Sequence, residues 1–558
     1  MSHERPRVRA RWPAGALAFV VVVHAAAARA DAAAIHFKDD DAFAAAKEAL
    51  LQRQDARGLA TSPLSAKELR LRLGEPAAPA SEAGARMYLQ WHPSFAAWAG
   101  LPERLADGTL WYDAVPPLGM IGVRMSDGDV LAADLRVDLS PVRGDFTGTG
   151  TATPWTLTSY ANLDFPRQSW AAATTEHLTV VAGRLKSGVG HGQLGNTFLN
   201  GRAPWYDQLQ ASFFVDWFRA FWLVGTSSSF LSPEEAAVQS FGADAPPRAG
   251  FDPLNNYDSA RFDAPSKTFM VRRFELAPWP WLVLGIGEQG VVGGKWPDLS
   301  QVLPMVAWHN AYAPGSTNVM MEADASVVPL PGVLVFGELT VDDVATPYED
   351  AAAKPTSLAW QAGAQWFAPL TATLSSEVAF EVTHVDRWTY QRWQPYLVLQ
   401  QRQILPCGCL AVDVPLGYTW GGDLDHVGAS AAVTDHEGMR ASVGVEAMWR
   451  GPVRLGALTD TLLVDEQGAP RTDRFGYQVK APLYYDLDQY AGAGALGRFF
   501  AEHPTEQRLT LSLKAELPVI EHVRVVGQGY MSWLDNADNV AGATSMRALL
   551  HAGALIDL

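Results

Sequence analysis

Residues 509–517 alternate between apolar and polar side chains, reading Leu-Thr-Leu-Ser-Leu-Lys-Ala-Glu-Leu. Successive side chains of a β-strand point to opposite faces, so one face of this segment is hydrocarbon. The other face carries the polar groups of Thr510, Lys514 and Glu516. Such a strand suits a boundary between an apolar phase and an aqueous one. The segment therefore predicts a two-faced strand.

The same period of two recurs along the chain from about residue 109. Each further stretch carries an acidic side chain on the face away from its apolar stripe, as Glu338 and Glu446 do. A soluble sandwich would turn these carboxylates to bulk water, whereas a barrel would turn them to a wet lumen. The clearest stretches are residues 130–139, 334–341, 376–382 and 441–449.

The length of the alternating region fits a large barrel. Residues 109–558 supply about 450 residues, which at roughly ten per membrane strand plus loops allow on the order of 16–18 strands. We find no internal repeat of fixed period, which argues against a propeller or a solenoid. We therefore predict an all-β transmembrane barrel of about 16–18 antiparallel strands over residues 109–558.

The first thirty residues have the three zones of a cleavable signal peptide. Basic residues come first, residues 14–28 are apolar, and Ala28-Arg-Ala30 supplies the small residues that the peptidase needs. The apolar run is shorter than the roughly 20 residues that span a bilayer, so a membrane anchor is the weaker alternative. A signal peptide over residues 1–30 ahead of a barrel predicts localisation in the bacterial outer membrane.

The C-terminus adds a second indication of outer-membrane export. His551, Gly553, Ile556 and Leu558 have the polar–Gly–apolar–apolar spacing of a last strand offered to the outer-membrane assembly machinery. Leu558 stands where an aromatic residue is usual. We expect this machinery and outer-membrane lipid as partners of the chain.

Residues 31–108 have a helical composition and form the predicted N-terminal region, a periplasmic cap or a plug. Residues 39–57 are rich in helix formers. Ser65 and Glu68 have capping-box spacing ahead of a second helix that Gly74 ends. Residues 93–105 are a third candidate.

Charge and cysteine content narrow the class of protein further. The formal net charge is −17, and loss of residues 1–30 removes five Arg and one Glu, which leaves −21. Nucleic acid is therefore not an expected partner, because binding it needs basic surface. The two cysteines, Cys407 and Cys409, allow either a loop disulfide or two free thiols.

The sequence contains no recognised catalytic or metal-binding motif. There is no Gly-x-Ser-x-Gly, no His-Glu-x-x-His and no phosphate loop, and the thirteen histidines are scattered without metal-ligand spacing. We therefore expect no enzymatic activity, no cofactor and no metal site.

Four blocks of sequence resemble the capsule assembly protein Wzi family. The first is a glycine-rich stretch with Gly183-Arg184, Gly190-x-Gly192 and Gly195-Asn-Thr-Phe-Leu199. The others are Arg272-Arg-Phe-Glu-Leu276 with Leu284-Gly-Ile-Gly-Glu288, then Phe336-Gly-Glu-Leu-Thr-Val-Asp-Asp343, then Trp388-Thr-Tyr390 with Pro415-Leu-Gly-Tyr-Thr-Trp-Gly-Gly422. The blocks occur in order over about residues 155–430; Val189 stands where the family often has Trp.

The resemblance implies a barrel of about eighteen strands with a periplasmic helical bundle. It also implies a non-enzymatic role, the binding of surface or capsular polysaccharide so that capsule is attached or assembled at the cell surface. The alternative is a porin-type channel for sugars or small solutes, which would use a similar acidic and aromatic lumen.

Two sets of residues are candidates for the site. Aromatic rings can stack on sugars beside groups that bind hydroxyls, although each ring could instead belong to a membrane-interface girdle. Lumen charges could bind ligand or could form an ion-pair network that braces the lumen. The glycan candidates are Trp388, Tyr390, Trp393, Tyr396, Trp205, Tyr206, Asp207 and Trp296; the lumen charges are Arg184, Arg273, Glu275, Glu288, Glu338 and Asp342.

Overall fold

The structure is a computed structural model of the full chain. It describes residues 34–38, 40–75, 83–100, 117–141, 149–152, 161–162, 168–203, 205–244, 266–303, 317–344, 355–404, 411–435, 438–465, 467–473 and 476–558. The expected signal peptide and both cysteines lie outside these residues.

Within the described residues, eighteen antiparallel strands close into one barrel. Each strand pairs with the next in the chain, and the last strand pairs with the first. The strands are β1 (Gly84–Trp91 and Ser94–Ala99), β2 (Gly119–Ser126), β3 (Leu131–Pro141), β4 (Gln168–Thr174), β5 (Leu178–Leu185), β6 (Tyr206–Phe214), β7 (Phe218–Ser227), β8 (Lys267–Trp279), β9 (Leu282–Gly293), β10 (Thr317–Leu330), β11 (Val333–Asp343), β12 (Ser357–Pro369), β13 (Leu374–Val385), β14 (Leu424–Asp435), β15 (Arg440–Arg450), β16 (Glu506–Ile520), β17 (Val523–Asp535) and β18 (Thr544–Asp557). The all-β barrel predicted from the alternation is confirmed.

The alternation sorts side chains between the two sides of the wall as expected. On β16, Leu513 is 61% exposed on the outer face, while Thr510 is 1% exposed towards the lumen. On β11, Glu338 is buried in the lumen and Leu339 is exposed outside. The outer face is therefore apolar and the lumen face polar, as a membrane barrel requires.

The first strand corrects the expected boundary of the barrel. The third helix, expected over residues 93–105, is wrong, because Ser94–Ala99 is a strand that pairs with β18. The sheet therefore begins at Gly84, within the region expected to be helical. Pro93, which has no amide hydrogen, lies at the break between the two segments of β1.

The two ends of the barrel differ in the length of their connections. At one end, turns of two to four residues join β6 to β7, β8 to β9, β10 to β11 and β12 to β13. At the other end, residues 186–205, 386–423 and 451–505 form long connections. We call these the short-turn end and the long-loop end.

Two N-terminal helices, α1 (Asp41–Gln52) and α2 (Ala66–Leu73), lie inside the barrel at the short-turn end. Both were expected from the sequence. The Ser65 hydroxyl accepts a hydrogen bond from the Glu68 amide, and Gly74 ends α2 in the left-handed conformation with φ 65°. We call residues 34–75 the plug.

The plug packs on the lumen face of the wall. Its apolar side chains form one buried cluster with lumen residues of β9 to β12, among them Leu334 and Phe336. Backbone hydrogen bonds also join it to the turns, from Ala56 N to Pro280 O (2.8 Å) and from Gly332 N to Leu51 O (2.9 Å). The helices thus enter the barrel mouth.

The other described elements are short helices and short strands that are not among the eighteen barrel strands. Further helices are α3 (Pro233–Asp244), α4 (Leu299–Val302), α5 (Leu487–Ala491) and α6 (Ala495–Glu502), with 3₁₀ turns at Pro395–Leu397 and Ala537–Asn539. Short strand pairs join Ile35–His36 to Leu64–Ser65, Thr61–Ser62 to Gly188–Val189, Gln400–Ile404 to Ala411–Pro415 and Leu458–Leu462 to Lys480–Pro482; Thr149–Ala152 and Ala161–Asn162 extend the main sheet. Among the described helices, none is both long and apolar enough to cross a membrane.

Candidate functional site: a filled lumen and an aromatic platform

The glycine-rich segment, residues 186–203, folds back into the lumen above the plug. Gly188 pairs with Ser62 of the plug, and Val189 pairs with Thr61. Gly190 has φ 106°, and a Cβ there would lie 2.5 Å from Asn196 Oδ1. Glycine is thus required where this segment turns within crowded surroundings.

Lumen carboxylates hold the glycine-rich segment in place. Glu338 accepts hydrogen bonds from the Thr197 hydroxyl and from the Phe198 amide, the latter at 2.8 Å. Glu381 accepts from the Leu194 amide at 3.1 Å. Glu338 thus lies in the lumen, as predicted, where it binds backbone of this chain.

A second inward segment, described over residues 386–404 and 411–420, fills the lumen towards the long-loop end. The Tyr390 hydroxyl donates to Thr197 O (2.6 Å), which joins the two inward segments. The Tyr390 amide donates to Asp342 Oδ2 (2.6 Å), which ties the loop to β11. Tyr390 is fully buried with φ 72°, and it packs against Gly417.

A chain of buried charges links the plug to the barrel wall. Arg273 lies 3.1 Å from Glu275 and also binds Glu322 and Asp324 on β10. Arg219 lies 3.9 Å from Glu275, which joins it to the same chain. The predicted Arg273–Glu275 pair is therefore present in the lumen.

The remaining members of the charge chain were missed from the sequence. Glu68 pairs with Arg219 at 3.1 Å and with Arg72 at 3.3 Å. Glu322 and Asp324 are two residues apart and therefore share a strand face. The alternation of the sequence could have predicted that both face the lumen. Nothing in the sequence pairs Glu68 with Arg219, because that contact depends on where the plug docks.

Two of the predicted lumen charges lie on the outer face of the wall. Glu288 pairs with Arg272 at 2.9 Å, and Arg184 pairs with Asp207 at 2.7 Å. Each of these two residues is next in sequence to lumen-facing residues of its strand. Because successive side chains of a strand point to opposite faces, each lies on the outer face. Glu288 and Arg184 are therefore not part of the lumen network.

The predicted aromatic residues do not form one site. Tyr390 and Tyr206 are fully buried in the lumen, and Trp205 and Tyr396 are each 9% exposed, which leaves these four rings no face for a sugar. Trp205 lies towards the outer face, with Arg184 over its ring at 5.2 Å. Trp296 is 74% exposed beside the outer wall. The Asp207 carboxylate accepts two hydrogen bonds from the Arg184 guanidinium.

Trp388 and Trp393 belong to a larger aromatic cluster at the long-loop end. Trp388 is mostly buried and packs edge-on against Tyr484 (ring centroids 5.9 Å apart) and Phe500 (6.3 Å). Trp393 and Tyr490 lie 6.3 Å apart at a 34° tilt. We call the partly exposed rings Trp393, Tyr485, Tyr490, Phe499 and Phe500 the aromatic platform.

Two arginines border the platform, and each is paired with a carboxylate: Arg387 with Asp423 at 3.4 Å and Arg392 with Asp343 at 3.4 Å. Arg387 lies over the ring of Phe500, with 3.9 Å from Cζ to the ring centroid. Arg392 lies beneath, 3.3 Å from the Tyr484 hydroxyl, and burial raises the pKa of Tyr484. Four of the five platform rings were missed, since they come from residues 485–500, which fold over Trp388 only in the tertiary structure.

Cavities remain between the plug and one side of the wall. One of about 870 Å³ lies between α1 and lumen residues of β13 to β18, and one of about 580 Å³ lies between the plug and the glycine-rich segment. Both are lined by Glu377 and Ala44. Across the described ranges, no group of three or more His, Cys, Asp or Glu is placed to hold a metal ion.

A closed antiparallel sheet with an apolar outer face, a polar lumen and one end of tight turns defines the class: an outer-membrane β-barrel. No protein-family model and no curated protein matches the chain.

Among solved structures the chain is similar to Wzi of Escherichia coli, described as an outer-membrane protein involved in group 1 capsule assembly and as a carbohydrate-binding β-barrel. The two are 13% identical with a TM-score of 0.55, over 94% of this chain and 99% of that one. OccD3 of Pseudomonas aeruginosa aligns at 9% identity over 86% of this chain and 93% of that one, with a TM-score of 0.39. The likeness to Wzi shows the fold.

Proposed function

We propose that this protein is a non-enzymatic outer-membrane barrel that binds surface polysaccharide at its long-loop end and helps attach or assemble capsule there. The observation that carries the proposal is the aromatic platform. Trp393 and Tyr490 present partly exposed rings 6.3 Å apart. Flat rings of this kind stack on the apolar faces of pyranose sugars.

The orientation of the barrel supports this placement. Outer-membrane barrels turn short connections to the periplasm and long ones to the cell exterior. The long loops, and the platform on them, would then meet polysaccharide outside the cell. Export by a signal peptide over residues 1–30 and insertion by the outer-membrane assembly machinery belong to the same proposal.

The filled lumen favours an anchor over the porin-type alternative. The plug, the glycine-rich segment and the second inward segment (residues 386–404 and 411–420) occupy successive levels of the barrel, and buried ion pairs and hydrogen bonds fix each of them. An open pore needs a continuous wet path. The two cavities leave space inside the barrel, and for this reason a channel is the second candidate function.

Glycan-array binding by the purified, folded barrel tests the proposal. Trp393→Ala and Tyr490→Ala should each weaken binding about tenfold, which corresponds to a loss of about 1.4 kcal/mol. Tyr477→Ala is the matched control, because Tyr477 is 73% exposed at the same end but outside the platform. Absence of binding by the folded wild type, or binding that both platform variants retain, would overturn the proposal.

Planar-bilayer recording separates the two candidates. The anchor predicts brief or no current through the wild-type barrel. Large steady currents would instead establish the channel, whatever the array shows.

A further inference from the structure

The described part of the connection that follows β9, up to residue 303, lies along the outside of the barrel. Residues 295–303 contain the short helix α4, which a capping box between Asp298 and Gln301 begins. The Asp298 amide donates to Gln301 Oε1 at 2.7 Å, and Lys295 pairs with Asp298 at 2.9 Å. The segment is thus locally well braced. We call it the outer strap.

Hydrogen bonds hold the outer strap against the wall. The indole of Trp222 on β7 donates to Val302 O at 2.7 Å. The guanidinium of Arg272 on β8 donates to Leu303 O at 2.9 Å and also to Gln301 O. Trp222 and Arg272 alternate with lumen-facing neighbours, so they lie on the outer face. The strap therefore lies outside the barrel.

The strap covers a charged pair on that outer face. Arg272 and Glu288 lie 2.9 Å apart, and both are almost fully buried. An uncovered charge on the lipid face of a barrel is destabilising, most strongly near the bilayer midplane. The strap carbonyls accept hydrogen bonds from Arg272, and the strap covers the Arg272–Glu288 pair. This cover explains how two charged side chains are accommodated on the outer face.

The exposed side chains of the strap include large apolar ones, next to an Asp298 carboxylate that pairs with Lys295. Trp296 is 74% exposed and Leu299 is 76% exposed. The strand next to Arg272, β9, also presents apolar side chains on its outer face, of which Ile286 is 61% exposed, two residues from Glu288. The exposed apolar side chains of the strap and those of this strand therefore lie on the same, outer side of the barrel wall. An aromatic ring beside leucine is also typical of segments that lie in a membrane interface.

We propose that the outer strap is an in-plane membrane anchor, whose Trp296 and Leu299 side chains bury in the lipid leaflet at the long-loop end and whose backbone shields the Arg272–Glu288 pair. The partner is the hydrocarbon and interfacial region of that leaflet. The strap then sets the depth at which the long-loop end emerges from the membrane.

Spin labels test this proposal in the full chain reconstituted in phosphatidylcholine vesicles. In a Cys407→Ser, Cys409→Ser background, Leu299→Cys and Trp296→Cys are labelled with a nitroxide. Collisions with oxygen report lipid, and collisions with a water-soluble nickel chelate report solvent. Ile286→Cys on the barrel face is the lipid reference, and Tyr477→Cys is the aqueous reference.

Labels at positions 299 and 296 should match the label at 286, with high oxygen and low nickel accessibility. Accessibility like that at 477 would overturn the proposal, because the strap would then face water. Spin–spin broadening at 299 would also overturn it, since a second copy of the chain would then be the partner. Neither readout depends on glycan binding, so the result stands apart from the proposed function.

Discussion

Glu68 on helix α2 and Arg219 on strand β7 form an ion pair, with 3.1 Å between Oε1 and Nε, and each side chain is about 1% exposed. The pair joins the plug to the first residues of a strand at the short-turn end. Because Arg219 also approaches Glu275, the plug is continuous with the charge chain of the wall. Ion pairs as well as apolar contacts therefore hold the plug against the barrel wall.

Replacing Arg219 should destabilise the barrel strongly. Arg219→Met leaves Glu68 buried with Arg72 as its remaining partner at 3.3 Å. Removing one member of a buried pair costs about 3–5 kcal/mol, whereas replacing both by apolar groups is often near neutral. Denaturant unfolding in lipid vesicles should therefore show a large loss for Arg219→Met and a smaller loss for Glu68→Leu with Arg219→Met, in which Arg72 keeps its hydrogen bonds to Val215 O and Asp216 O. Equal losses in the single and double variants would contradict an interaction between these two residues.

The strands could be predicted because lipid and water sort alternate side chains of every strand. That sorting needs no knowledge of neighbouring strands, as the outer Leu513 and inner Thr510 illustrate. Residues 94–99 were missed because Ser-Phe-Ala-Ala-Trp-Ala has helix-forming alanines. Pairing with β18 overrides that propensity, and Ala96 is fully buried while Phe95 is exposed.

The site was harder to predict, because burial within a loop depends on the path of the whole loop. Tyr390 and Trp393 are three residues apart, yet one is fully buried and the other is partly exposed on the platform. The sequence shows both as aromatic residues beside arginines. Only the inward path of the loop around Tyr390, fixed by Asp342 and Thr197, separates their roles.

Glu338 should act as a clamp that keeps the lumen closed. Glu338→Ala removes the acceptor for the Thr197 hydroxyl and the Phe198 amide, which frees the glycine-rich segment from β11. Single-channel recording should then show more frequent openings than the wild type. Val335→Ala, on the outer face of the same strand, is the control and should leave the current unchanged. Unaltered current in a correctly folded Glu338→Ala barrel would contradict the clamp.

Gly417 should not tolerate a methyl group. A Cβ at this position would lie 2.3 Å from the buried ring of Tyr390, and Tyr390 is held by hydrogen bonds to Thr197 and Asp342. Overpacking of this kind costs about 1–3 kcal/mol. Gly417→Ala should lower the denaturation midpoint accordingly. Gly497→Ala on α6 has open space around it and should be neutral or slightly stabilising, and similar midpoints for both variants would refute the tight packing.

His36 should make the stability of the plug depend on pH. Burial, together with the nearby charges of Arg124 and Arg70, lowers the pKa of His36 to about 4, whereas an unfolded histidine titrates near 6.5. Between these values the unfolded chain binds the extra proton and the folded chain does not. Stability from this group is therefore complete above pH about 6.5 and falls as the pH drops towards 4, by at most about 1.4 kcal/mol per pH unit.

The effect of His36 can be isolated by difference, because other groups also titrate in this range. His36→Leu removes the titrating ring and places an apolar side chain of similar size at a site that is 11% exposed. Denaturant unfolding of both proteins at pH 7, 6, 5 and 4.5 gives the difference in unfolding free energy at each pH. That difference should shift in favour of His36→Leu as the pH falls, since only the wild type must then keep a neutral imidazole against protonation. A difference that stays constant across the series would show that His36 keeps its ordinary pKa in the folded barrel.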